Sequence, residues 1–151
     1  MIRDAIAGKT ICVTGTTGFL GKSVVEKLLR AVPEVRRIHL ALRASPRRPA
    51  EARLEREILA SPAFQRCRDE VGEERFASLA AEKLGVLELD LGRDGLGLDE
   101  AGRAALRECD VLIHSANMYG QILVGLKHLS QAFLALMFLT QLTFSLLFLH
   151  Q

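Results

Sequence analysis

Over the first 117 residues short apolar blocks alternate with amphipathic stretches, and after Asn117 that pattern stops. TICVT, Thr10 to Thr14, is β-branched and apolar without polar alternation, the profile of a strand buried on both faces. From Phe19 onward Leu20, Val24, Leu28 and Val25, Leu29 recur at four-residue steps, while Lys22, Glu26, Lys27 and Arg30 fall on the opposite side. That spacing predicts an amphipathic helix ended by Pro33. RIHLAL (Arg37 to Leu42), GVLELDL (Gly85 to Leu91) and DVLIHSA (Asp110 to Ala116) have short apolar cores and predict three further strands.

The long Arg/Glu/Ala-rich stretch between the second and third strands has three short helical stripes: Leu54 and Ile58; Phe64, Cys67 and Val71; Phe76, Leu79 and Ala80. Pro49 and the Ser61-Pro62 pair mark helix starts, the latter as N-cap followed by proline in the first turn. A helical patch laid over one sheet face is therefore expected. Asp99 precedes another short helix and Glu100 sits in its first turn, where a carboxylate suits the helix dipole. Strands alternating with helices imply parallel pairing through right-handed crossovers.

After Asn117 only Lys127 carries a formal charge, which places a boundary there: residues 1–117 as a nucleotide-binding unit, residues 118–151 as an apolar tail. Leu129 to Leu149 is a 21-residue run without Asp, Glu, Lys or Arg. As a helix it would reach roughly 31 Å, about the hydrocarbon thickness of a bilayer. Its apolar residues go all round, and three readings stay open: a membrane helix with Lys127 and His128 on the cytoplasmic side, a helix covering the open sheet, or an aberrant translation.

Charge and cysteine content narrow the function classes. Setting Lys127 aside, 19 basic side chains stand against 18 acidic ones, too even a balance for a polyanion-binding field, so nucleic acid is not expected as a partner. Cys12, Cys67 and Cys109 are odd in number and form no CxxC pair, which suggests neither a disulfide framework nor a zinc site but buried thiols. Asp4 and Lys9 interrupt the apolar residues of the amino terminus, so no secretory signal forms and the globular part is expected in the cytoplasm.

The chemistry concentrates in TGTTGFLG, Thr14 to Gly21, between the first strand and the first helix. Such a turn aims unpaired backbone N–H groups and the positive end of a helix dipole at one spot, which suits a pyrophosphate. Gly15 would make the turn, Gly18 would let the backbone approach the phosphates, and Gly21 would let helix and strand pack closely. The spacing is GxxGxxG rather than GxGxxG, and without a ligand the same loop is a glycine-rich turn. The fold expected is α/β: a partial Rossmann-like, doubly wound parallel sheet of about four strands with an apolar helical carboxyl-terminal tail. At the end of the second strand an acidic residue would favour NAD; Arg43 stands there, followed by Arg47 and Arg48, and a guanidinium favours the extra phosphate of NADPH over a merely solvated basic loop. Asp90 closes the third strand, either receiving the adenine amino group or forming a turn before Gly92. His114 is read as a packed half-buried histidine, and Ser115 and Ala116 as backbone neighbours of the cofactor.

GKTICVTGTTGFLGKSVVEKLLRAVPEVRRIHLALR, LELDLGRDGLGL and DVLIHSA together resemble the amino-terminal half of fatty acyl-CoA reductases, extended short-chain dehydrogenases related to thioester reductase domains, from about Gly8 to Ala116. The resemblance implies NADPH as cofactor, an acyl-CoA thioester as substrate and an aldehyde or alcohol as product. It assigns Gly15, Thr17, Gly18, Phe19, Leu20 and Gly21 to the cofactor loop, Arg43 to the second strand and Asp90 to the acidic position after the third. Leu89 stands where that family usually has glycine.

The family's acid is a tyrosine with a lysine four residues later, which lowers the phenol's pKa. Here Tyr119, the lone tyrosine, is followed by Leu123, so no catalytic residue is assigned and this chain by itself is expected to be inactive. A 151-residue chain is also about a hundred residues short of an ordinary single-domain enzyme of this type. Two other readings share the half-fold: an extended short-chain dehydrogenase acting on a sugar nucleotide as epimerase or dehydratase, against which the helical insertion argues, and a membrane-attached nucleotide-binding module without catalysis.

Overall fold

The computed structural model describes residues 2–43 and 47–116. The tail, with Tyr119, Lys127 and the 129–149 run, lies outside the described residues.

Four parallel strands lie in the order β3-β2-β1-β4, with β1 Thr10–Thr14, β2 Arg37–Leu42, β3 Leu84–Glu88 and β4 Val111–His114. The register places Thr14 beside Ala41 on one side and His114 on the other. Every residue of β1 is buried, as expected for a strand flanked by neighbours and covered on both faces. Winding runs one way from β1 through β2 to β3, then α6 (Glu100–Arg107) carries the chain back across so that β4 joins the opposite side of β1. The direction of winding therefore reverses at the carboxyl ends of β1 and β4, where such sheets hold ligands.

Helix α1 (Ile2–Ile6), which apolar spacing did not announce, buries no residue and is tied down by the Arg3–Glu34 ion pair. Helix α2 (Phe19–Ala31) lays Val24, Val25, Leu28 and Leu29 on β1 and β2, and its C-cap is Val32, ahead of the proline. The insertion forms α3 (Ala50–Arg53), which runs into a π-helical turn at Leu54–Leu59, then a 3-10 turn at Pro62–Phe64 leading into α4 (Gln65–Val71), and α5 (Glu73–Lys83). Pro49 stands before α3, and Ser61 Oγ accepts the Ala63 N–H at the start of the 3-10 turn. Ile58, Phe64, Cys67, Phe76 and Ala80 join α2 and the sheet in one core, with the rings of Phe64 and Phe76 5.9 Å apart. The other face is thin: Cys12, Ala41, Leu87, Leu89 and Leu98, backed by Ala105, Leu106 and Cys109 of the α6 region. Asp99 caps α6 by accepting the Gly102 N–H at 2.7 Å.

Four expectations need correction. Glu26 is not on a solvent face: it is 7% exposed and pairs with Arg30 at 2.6 Å, because α4 covers the polar side of α2 and supplies Glu70 to the same arginine at 3.4 Å. Leu20 does not join the buried stripe; it is 40% exposed and Phe19 84%, because the first turn of α2 lies at the mouth of the crevice. The third strand ends at Glu88 rather than Leu91, since Asp90 turns the chain by accepting the Gly92 N–H at 3.0 Å and giving its own N–H to Leu96 O at 2.8 Å. The fourth strand is likewise shorter than Asp110 to Ala116, although Ser115 N still reaches Thr14 O at 3.2 Å.

Burying a carboxylate is tolerable only while its partner stays in place. Replacing Glu26 with Ala should cost about 2–3 kcal/mol by leaving the nearly buried Arg30 with only the more distant Glu70, whereas Lys27→Ala on the exposed side of the same helix should stay within about 0.5 kcal/mol. Urea unfolding midpoints of the two variants check this contrast.

Candidate functional site

The glycine loop is built by backbone pressed against backbone. Gly15 has φ +73, a left-handed conformation that suits glycine, and a methyl group there would come within 2.6 Å of the Ser115 carbonyl oxygen. At Gly21, on the first turn of α2, a methyl would strike Thr16 Cα at 2.7 Å and the carbonyl of Gly15. The loop closes on itself through Gly18 N–H to Gly15 O at 3.0 Å. The ordinary φ of −78 at Gly18 does not demand glycine, and a methyl there would meet only Gly15 O at 3.3 Å. Gly18 thus leaves room for a group outside the loop.

That room faces donors. The first helical bond of α2 is Lys22 N–H to Gly18 O at 3.1 Å, so the amides of Phe19, Leu20 and Gly21 precede the helical ladder. No side chain caps this end and its first turn holds no acidic residue, which leaves the positive end of the dipole without a resident anion. Thr16, fully buried, keeps a hydroxyl with no hydrogen-bond partner among the described residues. An orphaned donor, open amides and a cradle that a Cβ would fill fit a pyrophosphate group.

Ser115 and Ala116 form the opposite wall. Ser115 Oγ donates to Thr14 O at 2.7 Å, so its side chain is spent on holding β4 to β1. His114 Nδ1 lies 2.7 Å from Thr14 Oγ1, and desolvation pushes the imidazole's pKa below its ordinary value, favouring the neutral ring.

Around the far side of the sheet edge, Arg43 follows β2 with a side chain 63% exposed, its Nη1 3.9 Å from Asp90 Oδ1. Asp90 does what a turn-forming aspartate does, with Gly92, while also facing Arg43. Leu89 is buried on the thin face of the sheet with Cys12, Ala41, Leu87 and Leu98. Thr17 is half-buried in the loop, and Phe19 and Leu20 line its exposed lip. The glycine loop, Ser115 and Ala116 therefore form one wall-to-wall contact, whereas Arg43 and Asp90 sit together at the ends of the next two strands.

Two residues escaped the sequence reading. Thr16 is separated from Thr17 by nothing in composition; only its burial singles it out. Arg53 reaches from α3 to the carbonyl of Arg43 with Nη1 at 2.8 Å, while its Nε and Nη2 grip both carboxylate oxygens of Glu57 at 2.9 and 2.8 Å. Neither its pairing with Glu57 nor its contact with Arg43 ten residues upstream was part of the sequence reading. Cys12 is remote from this chemistry: burial first, then the neighbouring Cys109, pushes its thiol up to about 12, so it stays protonated in the core.

An NAD-binding family model described as male sterility protein matches residues 13–122. Among curated proteins the chain is 36% identical over 113 residues to fatty acyl-CoA reductase 8 of Arabidopsis thaliana, covering 74% of this chain and 23% of that protein. It is 34% identical over 117 residues to the alcohol-forming fatty acyl-CoA reductase of Simmondsia chinensis, covering 76% and 24%. The chain thus spans about a quarter of the length of these relatives. The reductase (R) domain of a non-ribosomal peptide synthetase from Mycobacterium tuberculosis superposes with a TM-score of 0.56 at 33% identity, over 74% of this chain and 24% of that one.

The cradle geometry separates two glycines. Gly21→Ala should destabilise the fold by about 1–3 kcal/mol, since the new methyl meets backbone that cannot yield, and Gly18→Ala should cost well under half as much. Thermal or urea unfolding of both variants reads the difference; equal losses would contradict the cradle.

Proposed function

Since this chain belongs to the male sterility protein family, which binds a nicotinamide cofactor, we propose that it is the NADPH-binding portion of a fatty acyl-CoA reductase, an oxidoreductase acting on acyl-CoA thioesters. The observation that carries the reading is the glycine cradle: Gly15 and Gly21 in backbone contact, α2's first amides open, and the Thr16 hydroxyl unpartnered. Identity of 34–36% to proteins named fatty acyl-CoA reductases supports the substrate class.

In this reading the amides of Phe19, Leu20 and Gly21 hold the pyrophosphate, with Thr17 beside them. Ser115 and Ala116 present backbone to the cofactor at the crossover crevice, and Asp90 receives the adenine amino group. Arg43 takes the 2′-phosphate, for which a planar guanidinium offers paired donors. When bound, NADPH supplies the hydride that reduces the thioester carbonyl. The protonating tyrosine–lysine pair has no counterpart in these 151 residues, where Tyr119 is followed by Leu123 at the lysine's position. The 151-residue chain then binds cofactor and orients it without completing the reaction.

The test is titration of the full 151-residue chain with NADPH and with NADH, followed calorimetrically or by nicotinamide fluorescence. NADPH should bind more tightly, and Arg43→Ala should weaken it about tenfold, the loss of a charge-assisted contact, while leaving NADH within about twofold. Acyl-CoA should give no NADPH oxidation. Failure to bind either nucleotide would overturn the cofactor site; equal loss for both on removing Arg43 would overturn the phosphate assignment.

A further inference from the structure

The sheet holds β2 as far as Leu42, whose carbonyl accepts the Leu89 N–H at 3.1 Å. Arg43 follows one residue later, its side chain 63% exposed and its Nη1 3.9 Å from Asp90. A firmer hold comes from the insertion, where Arg53 Nη1 donates to the Arg43 carbonyl at 2.8 Å. With Leu42 held by the strand ladder and the Arg43 carbonyl held by Arg53, the Arg43 Cα is pinned from both sides. The two peptide planes that flank it then set the direction in which its side chain departs.

Arg53 is itself immobilised. Its Nε and Nη2 donate to the two carboxylate oxygens of Glu57 at 2.9 and 2.8 Å, a bidentate fork that fixes the guanidinium plane. Its side chain is 19% exposed, and the helical turns that carry it are anchored by Ala50 and Ile58 in the main core. The Arg53 hydrogen bonds, aided by the charges of Arg53, Arg48 and Lys22, hold the Glu57 carboxyl below the usual carboxylate range, so the fork stays ionised at neutral pH. Lys22 is the residue after Gly21, which brings the clamp within electrostatic reach of the glycine loop. Arg53 already spends donors on all three of its nitrogens, and its charge is met by a carboxylate. Its geometry is that of a support for Arg43 rather than of a phosphate ligand. An ordinary helical pair four residues apart would lack the bond ten residues back to the strand end.

Resting on the NADPH reading above, we propose that Arg53, locked by Glu57, is a positioning residue for the 2′-phosphate, holding the end of β2 so that Arg43 meets the phosphate already oriented. Calorimetric titration of the full 151-residue chain with NADPH and with NADH tests this. Arg53→Gln should weaken NADPH about fivefold, the cost of ordering one long side chain on binding, and leave NADH within about twofold. In an Arg43→Ala background the same substitution should add no further loss for NADPH, because the side chain it orients is gone. Arg53→Lys keeps the charge but not the fork and should lose nearly as much as Arg53→Gln. Glu57→Gln leaves Arg53 in place with a weaker partner and should lower the preference for NADPH over NADH by a smaller factor; it decides the question if the Arg53 variants do not fold. Equal weakening of both nucleotides would make Arg53 a structural residue only, and an undiminished NADPH loss without Arg43 would make it a phosphate cation in its own right; either result would overturn the proposal. Failure of the underlying reading looks different: Arg43→Ala by itself would then not separate NADPH from NADH, and the role of Arg53 would fall with it.

Discussion

The structure depends on one close approach: the Gly15 carbonyl lies against Gly21 with no side chain between them, while Gly15 itself packs on the Ser115–Ala116 backbone. Three segments of chain converge at that point, the ends of β1 and β4 and the start of α2. Adding a carbon at either glycine would separate two of them. The closeness explains why α2 can lie flat on β1, why β4 continues to hydrogen-bond β1 as far as Ser115, and why the amides of α2 open toward a crevice rather than toward a neighbouring side chain. The open start of α2 is thus a by-product of packing: the glycines that let helix and strand touch also leave the helix end without a side-chain cap.

Much of the fold was readable because the signals are local. TICVT has no polar alternation and is buried throughout; the four-residue apolar steps from Val24 to Leu29 became the helix's buried stripe; Asp99 and Ser61 cap where their side chains and neighbours predict. The unread features come from distant contacts. Glu26 has the spacing of a solvent-facing residue, and its burial is decided by α4, some forty residues later, with Arg30 and Glu70 completing the pairing. The π-helical turn at Leu54–Leu59 leaves no mark in hydrophobic period. Leu96 adopts φ 61, a conformation its side chain disfavours, inside a loop where the Asp90 N–H holds its carbonyl.

The same division applies to the candidate site. Glycine spacing between strand and helix located the loop, and the end of β2 located Arg43, because both follow from chain order. Thr16 differs from Thr17 only by being enclosed, and enclosure belongs to the assembled loop. Arg53 pairs with Glu57 one helical turn on, and its further contact, to the carbonyl of Arg43, exists because the insertion folds back toward the end of β2. Two other arginines of the insertion pair with its own acids and rings: Arg66 with Glu70, Arg68 with Glu73 and over the ring of Phe76. Acidic side chains outnumber basic ones across residues 50–83, so a segment rich in arginine carries no net positive charge.

Arg43 raises a competition that bears on the proposed cofactor. Its guanidinium already faces Asp90, and a phosphate can recruit it only if the existing pair is the weaker partner. At 3.9 Å, with the arginine 63% exposed, that pair belongs to the surface class, worth about 0–1 kcal/mol. A phosphate can engage the same fork through two donors at hydrogen-bond distance, and charge-assisted bonds of that kind contribute about 1.5–3 kcal/mol. Asp90 gives up little on separation, because its carboxylate keeps the Gly92 N–H that turns the chain. The balance therefore favours exchange. Under the proposed NADPH reading, an acid facing the arginine at this position leaves it available to a 2′-phosphate, because the pair is weak enough to be replaced.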